Sequence, residues 1–119
     1  MSREVGSRYE ELAAAWLAAK GYKVLERSFS CPLGEVDIIA EQGGDLVFVE
    51  VKARRGEAYG RPFEAVTRSK QAKIIKAALV YIKSKGSRPA GIRFDVVSIK
   101  MGAEPELIRG AFEAPGYYY

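Results

Sequence analysis

The segment from residue 35 to residue 53 constrains the fold more than any other part of the sequence. Two runs rich in β-branched residues, 35–40 and 46–53, flank the dipeptide Gly43-Gly44. Such runs are typical of β-strands, and two adjacent glycines are typical of a tight hairpin turn because the turn requires positive φ angles. The segment therefore predicts an antiparallel β-hairpin.

The turn also predicts which charged side chains face each other. With a two-residue turn, counting outward from the glycines places Asp37 opposite Glu50 and Glu35 opposite Lys52. A four-residue loop keeps these pairs, whereas an odd loop length moves one set of side chains to the other face. Since side chains alternate along a strand, we expect Glu35, Asp37 and Ile39 to share one face.

Two carboxylates in this position call for a physical explanation. Opposed residues of an antiparallel pair have Cβ atoms about 4.5–5.5 Å apart, so Asp37 and Glu50 repel unless one is protonated or a cation lies between them. A divalent ion held by both acids, with Lys52 alongside, explains these charges on otherwise apolar strands. The alternative is a salt-bridge ladder on a solvent-facing sheet, in which Glu35 pairs with Lys52.

The composition narrows the chemistry that the chain can perform. The 119 residues include no histidine and one cysteine, Cys31. This excludes histidine-dependent catalytic triads, histidine zinc sites, a disulfide within the chain and multi-cysteine metal clusters. Any metal would be held by oxygen ligands, which favours Mg²⁺ or Mn²⁺. Acid–base chemistry falls to Asp, Glu, Lys or Tyr, or to water activated by a metal ion.

The remaining patterns predict one domain spanning residues 1–119. Apolar spacing, capping residues and turn residues divide the chain into alternating elements and connections. We expect helices at 4–20 and 67–85, strands at 22–27, 35–40, 46–53, 92–100 and 107–112, loops at 28–34 and 54–66, and a tail at 114–119 that is loose or docked by its aromatic residues. The order α-β-β-β-α-β-β indicates a mixed α/β sheet with one helix on each side, or with both helices on one face.

The basic residues concentrate in the middle of the chain, although the net charge is only +4. This cluster predicts a surface that binds nucleic-acid phosphates, and the alternative is a solvated helix face beside a basic loop. Its members are Lys52, Arg54, Arg55, Arg61, Arg68, Lys70, Lys73 and Lys76. No apolar stretch near the start is long enough to span a bilayer, and no signal peptide is recognisable, so we expect a cytoplasmic protein with no membrane partner.

The acidic motif resembles a known nuclease signature. Asp37, twelve intervening residues and then Glu50-Val51-Lys52 are similar to the PD-(D/E)xK signature of the restriction-endonuclease-like fold. Over residues 5–113 the sequence also resembles the small bacterial YraN family, which is likened to archaeal Holliday-junction resolvases. The matching positions are Gly6, Glu10, Ala13, Leu17, Gly21-Tyr22, residues 34–37, residues 46–52, Arg54, Lys70 and residues 93–97.

The resemblance implies a restriction-endonuclease-like mixed sheet and a role for each motif residue. Asp37 and Glu50 match the acids that hold Mg²⁺ or Mn²⁺, and the main-chain carbonyl of Val51 is a further metal ligand. Glu10 matches a helix glutamate that joins the metal site. Lys52 matches the motif lysine, which activates water or stabilises the transition state. The sequence departs from the pattern in two ways, since the motif's proline is absent and a tyrosine precedes the helix glutamate.

The resemblance also implies a function and partners. We expect a metal-dependent endonuclease that hydrolyses DNA phosphodiester bonds, with branched or junction DNA as a candidate substrate and a homodimer as a candidate assembly. The residues that would contact the DNA backbone are Arg54, Arg55, Arg61, Arg68, Lys70 and Lys73. Two alternatives stay open: a nucleic-acid-binding protein of the same fold that does not cut, and a scaffold that binds other proteins.

Overall fold

The computed structural model describes residues 3–54 and 66–114, which form two helices and five strands in the expected order. Most of the predicted loop 54–66 and of the tail 114–119 therefore lies outside the described residues. The elements are α1 (Arg3–Ala19), β1 (Lys23–Cys31), β2 (Gly34–Gln42), β3 (Asp45–Arg54), α2 (Arg68–Lys85), β4 (Gly91–Lys100) and β5 (Glu106–Phe112). In the part of the chain that is described, neither helix is long and apolar enough to cross a membrane.

The strands form one mixed sheet in the order β1-β2-β3-β4-β5. Neighbouring strands are antiparallel except β3 and β4, which are parallel. Parallel neighbours need a long crossover, and α2 supplies it. The predicted hairpin is confirmed: Gly43 and Gly44 have φ angles of 59° and 86°, and Gln42 pairs with Asp45.

Each face of the sheet carries one helix, so the first of the two predicted arrangements is correct. Side chains alternate along β3: Val47 and Val49 pack in a cluster with α1, whereas Leu46 and Phe48 pack in a second cluster with α2. The α2 boundaries follow from its caps. The side chain of Thr67 accepts a hydrogen bond from the Lys70 backbone, and the helix ends at a glycine in the left-handed region.

Strand β1 is longer than the sequence predicts. The predicted strand is confirmed at residues 23–27, but its predicted end is wrong, because pairing with β2 continues through Phe29↔Val36 and Cys31↔Gly34. Of the predicted loop 28–34, only residues 32 and 33 lie between the two strands. Phe29 and Cys31 alternate with polar residues and pack against the α2 cluster. The Phe29 ring also meets the Tyr81 ring edge-on, with centroids 5.3 Å apart. Burial of these side chains therefore extends the strand into a polar, turn-like sequence.

Candidate functional site

An irregularity in β2 interrupts the regular strand pairing around Asp37. Val36 and Ile39 pack in the same cluster, although residues three apart on a regular strand face opposite sides. The expectation that Glu35, Asp37 and Ile39 share one face is therefore wrong, and Glu35 is exposed. On the neighbouring strand, Ser28 has a φ of 55°, in the left-handed region that non-glycine residues seldom adopt.

Asp37 bridges the point where β2 and β3 stop pairing. The paired register ends at Ile38↔Val49, and its next step would place Asp37 opposite Glu50, as the turn predicted. Instead of a ladder bond, the Val51 N–H donates to Asp37 Oδ2 at 2.8 Å. This hydrogen bond holds the Asp37 carboxylate beside β3, the strand that carries Glu50.

Glu50 is a buried carboxylate with incomplete partners. Its side chain is 4% exposed and follows Val49, which faces α1, so Glu50 lies on the α2 face. Its Oε2 is 3.6 Å from Lys70 Nζ and 3.9 Å from Lys52 Nζ. Within the described ranges 3–54 and 66–114, Glu50 Oε1 has no hydrogen-bond partner. The alternative of a solvent-facing ladder is therefore wrong for Glu50.

The environment of Asp37 favours its neutral form. Burial, and then the negative charge and close approach of Glu50, raise the pKa of Asp37 to about 7. The hydrogen bond from Val51 and the charge of Lys70 act in the opposite direction. The two carboxylates thus form a coupled pair whose full negative charge requires a nearby cation.

The acids open into a small pocket that collects most of the motif residues. Its volume is about 300 Å³. It is bounded by the hairpin, by α1 and by the first turn of α2. The lining residues are Tyr9, Glu10, Asp37, Glu50, Val51, Lys52, Ala53 and Lys70. The structure therefore brings Asp37, Glu50, Val51 and Lys52 to one place, as the sequence predicted.

Glu10 lies at the wall of this pocket and is held by a residue that the sequence analysis missed. Ser28 Oγ donates to Glu10 Oε1 at 2.7 Å. Burial raises the pKa of Glu10, while the Ser28 hydrogen bond lowers it and the charge of Asp37 raises it. No group of three or more acidic, histidine or cysteine side chains close enough to hold a metal occurs among the described residues. A metal-binding role for Glu10 stays a prediction.

The donor atoms of the pocket suit a hard divalent ion. Asp37 and Glu50 supply carboxylate oxygens, which are the ligands that Mg²⁺ and Mn²⁺ prefer, and the described residues that line the pocket include no sulfur or imidazole. When both acids are ionised, Glu50 Oε1 is a buried oxygen without a donor among the described residues, which is costly, and a divalent ion between the two carboxylates would supply the missing partner. The predicted Val51 carbonyl ligand would lie on the same wall.

The basic residues predicted to contact DNA separate into different environments. Arg54 forms an ion pair with Glu106 at 3.1 Å, whereas Arg68 and Lys73 are exposed on α2. Lys70 lies in the acidic pocket. Two of the predicted DNA contacts, Arg55 and Arg61, lie outside the described residues. The sequence singled out Lys70 as a member of the basic cluster and as a position matching the resembled family, but only packing shows what it contacts.

Comparison with known proteins places the chain in one family. Residues 9–99 match the model of the family described as "Uncharacterised protein family UPF0102". A UPF0102 protein of Symbiobacterium thermophilum is 47% identical over 118 residues, covering 96% of this chain and all of that protein. A UPF0102 protein of Syntrophomonas wolfei is 50% identical over 99 residues, covering 83% of this chain and 86% of that protein. The chain belongs to the UPF0102 family.

Proposed function

We propose that this protein is a metal-dependent endonuclease of the restriction-endonuclease-like superfamily, and that it hydrolyses phosphodiester bonds of DNA. The observation that carries the proposal is the buried Glu50 carboxylate with an orphaned oxygen, placed beside Asp37 in a pocket with two ammonium groups. A pocket that held only water would not need this concentration of buried charge. A site for metal-dependent hydrolysis of a phosphodiester uses both kinds of group: carboxylates bind the metal ion, and ammonium groups offset the charge of the phosphate.

Five residues of the pocket have defined roles in this proposal. Asp37 and Glu50 hold Mg²⁺ or Mn²⁺, with the Val51 carbonyl as a further ligand and Glu10 as an assisting acid on the opposite wall. The ion would supply Lewis-acid stabilisation and a more acidic water. Lys52, which is partly exposed and lies 3.9 Å from Glu50 Oε2, orients the attacking water or offsets the charge that develops on the phosphate.

Binding of the nucleic acid would use the basic surface next to the pocket. Arg68 and Lys73 are exposed on α2, close in sequence to Lys70 in the pocket wall. Such side chains contact phosphates rather than base edges, so we expect weak sequence preference and strong salt dependence. Branched DNA is the proposed substrate, and a two-fold dimer would match the symmetry of a junction.

The test is a cleavage assay on duplex, single-stranded, flap and junction DNA with Mg²⁺, Mn²⁺ or EDTA. We expect metal-dependent cleavage that falls at least about 100-fold in Asp37→Ala and in Glu50→Ala, because each removes a charged group of the site. Glu35→Ala is the matched control, since it removes an exposed carboxylate from the same strand. It should keep activity within about threefold, as expected for a surface change.

The same assay identifies the main alternative. Nucleic-acid binding that survives EDTA and both acid substitutions, without any cleavage, would contradict the nuclease proposal and support a binding protein of the same fold. Cleavage that is unchanged in Asp37→Ala or Glu50→Ala would show that the activity comes from elsewhere.

A further inference from the structure

Lys70 approaches the buried acid more closely than the motif lysine does. The Lys70 Nζ atom is 3.6 Å from Glu50 Oε2, compared with 3.9 Å for Lys52 Nζ. Both lysines line the same pocket, but they come from different elements, β3 and α2. The site therefore contains two ammonium groups that share one carboxylate oxygen.

The backbone around Lys70 is held in place on both sides. Its own N–H donates to Thr67 Oγ1 at 3.1 Å, and the Gln71 side chain donates to the Val66 carbonyl at 3.0 Å. The first turn of α2 contains no acidic residue that could pair with Lys70 within the helix. The start of the helix thus presents this side chain to Glu50 rather than leaving it free on the surface.

The exposure of the two charges differs. Glu50 is 4% exposed, whereas the Lys70 side chain is 37% exposed. A lysine has a flexible four-carbon stem and three rotatable donors, so its ammonium can leave Glu50 and still remain at the mouth of the pocket. A divalent ion at Glu50 would repel both ammonium groups and would neutralise the negative charge that attracts them to that oxygen.

We propose that Lys70 is a second ammonium group of the nuclease site, in addition to Lys52. In the metal-free protein it partly neutralises Glu50, and when a divalent ion binds this carboxylate, Lys70 transfers its contact to the scissile phosphate. This inference rests on the proposed function, and it replaces the simpler expectation that Lys70 only contacts the DNA backbone away from the reacting bond.

The test begins with metal binding in the absence of DNA. Mn²⁺ is titrated by calorimetry into the wild type, Lys70→Met, Lys70→Arg and Lys73→Met, with Asp37→Asn to identify binding at the acidic pair. Lys73 is the matched control, because it is an exposed lysine one turn further along the same helix. We expect Lys70→Met to bind Mn²⁺ about threefold to tenfold more tightly, since a competing charge is gone. Lys70→Arg and Lys73→Met should remain within about twofold of the wild type.

The second measurement is single-turnover cleavage at saturating Mn²⁺ and DNA. Here Lys70→Met should cut at least about tenfold more slowly, although it binds the metal more tightly, and Lys70→Arg should recover part of the rate. Opposite changes in metal affinity and cleavage rate would distinguish a group that passes from Glu50 to the phosphate from a lysine that only strengthens DNA binding.

The outcomes separate this inference from the proposed function. If Mn²⁺ binds to the wild type through Asp37 and Lys70→Met has the wild-type affinity, the inference is overturned and the nuclease proposal stands. If Lys70→Met binds Mn²⁺ more tightly but cuts at the wild-type rate, the transfer to phosphate is overturned. If no Mn²⁺ binding depends on Asp37, both proposals fail.

Discussion

Two buried acids on neighbouring strands, Asp95 and Glu50, differ in how completely their carboxylates are hydrogen-bonded. Asp95 on β4 is aligned with Val49, one residue before Glu50 on β3. Asp95 is fully buried and accepts four hydrogen bonds: from Tyr22 Oη at 2.8 Å, from Arg93 Nε and Nη2 at 2.9 and 3.0 Å, and from the Gly110 N–H at 2.9 Å. Glu50 is nearly as buried, but its nearest cations lie 3.6 and 3.9 Å away.

This difference shows that one buried carboxylate is fully paired within the fold and the other is not. A buried carboxylate is costly unless its oxygens are paired. Asp95 meets that requirement with donors from the connection between α1 and β1, from β4 and from β5. Burial, the bond to Asp95 and the charge of that carboxylate raise the pKa of Tyr22 to about 12, so its hydroxyl keeps its proton at neutral pH. Glu50 lacks such a set of donors in the described chain. In the nuclease proposal, the partner that Glu50 lacks is the metal ion.

The largest expected effect comes from the same isosteric change made at both acids. Asp95→Asn should lower the free energy of unfolding by about 3–5 kcal/mol, because the amide NH₂ would face groups that now donate and Arg93 would keep only its longer contact with Asp45, at 3.4 Å. Glu50→Gln should change it by less than about 1 kcal/mol, since the lysine contacts are long and the repulsion with Asp37 disappears. Urea denaturation in EDTA at neutral pH measures both.

The contrast between Asp95 and Glu50 would fail if Asp95→Asn and Glu50→Gln lowered the free energy of unfolding equally. A loss of about 3 kcal/mol or more in Glu50→Gln would mean that this carboxylate is also a structural partner of the fold. In that case the orphaned oxygen would no longer indicate a ligand site.

The second prediction concerns the pH dependence of stability at Asp37. Its folded pKa of about 7 is higher than the ordinary value of 3.8, so the native state holds the proton more tightly than the unfolded chain. The resulting penalty is absent below pH 3.8, grows as the pH rises, and is complete above about pH 7. The free energy of unfolding of Asp37→Asn, relative to that of the wild type, should therefore rise by about 2–3 kcal/mol as the pH increases from 5 to 8 in EDTA.

Denaturation curves of both proteins across this pH range measure the effect. Glu35→Gln is the matched control, because it changes an exposed carboxylate of the same strand. Its difference from the wild type should stay within about 0.5 kcal/mol. A constant difference between Asp37→Asn and the wild type from pH 5 to pH 8 would show that the pair does not share its charge in the way described.

The sequence predicted the part of the site that depends on local pattern. Gly43-Gly44 determines the hairpin register, and this register places Asp37 next to Glu50 by simple counting. The cap at Thr67 likewise predicted where α2 begins. Local pattern failed at the end of β1, where Ser28 and Ser30 resemble loop residues although Phe29 and Cys31 beside them pack against the α2 cluster.

The rest of the site depends on contacts between distant segments. The hydrogen bond between Ser28 and Glu10 joins α1 to β1, and Lys70 reaches Glu50 only because α2 packs across the hairpin. Neither contact has a sequence signature. The incomplete hydrogen bonding of Glu50 within the described residues, as opposed to the full pairing of Asp95, is also a property of packing, because both residues are acids within apolar strands and look alike in the sequence.

The third prediction uses a metal ion to supply the missing partner. Mn²⁺ at thirty times its dissociation constant should raise the free energy of unfolding of the wild type by about 2 kcal/mol, as expected for a ligand that binds only the native state. Most of this gain should disappear in Glu50→Gln and remain in Glu35→Gln, measured by thermal denaturation with and without Mn²⁺. An equal gain in all three proteins would indicate binding elsewhere on the surface.

The smallest effect extends the comparison from carboxylates to hydroxyls. Ser98 on β4 is 1% exposed, and its Oγ has no hydrogen-bond partner in the described residues, whereas the Tyr22 hydroxyl both donates to Asp95 and accepts from Arg93. Ser98→Ala should raise the free energy of unfolding by about 0.5–1 kcal/mol by removing an unpaired polar group. Tyr22→Phe should lower it by about 1 kcal/mol by leaving its partners unpaired. Because each change deletes one buried oxygen, opposite signs in urea denaturation would confirm that pairing, and not burial, determines the cost, whereas a loss in both variants would show that Ser98 has a partner of its own.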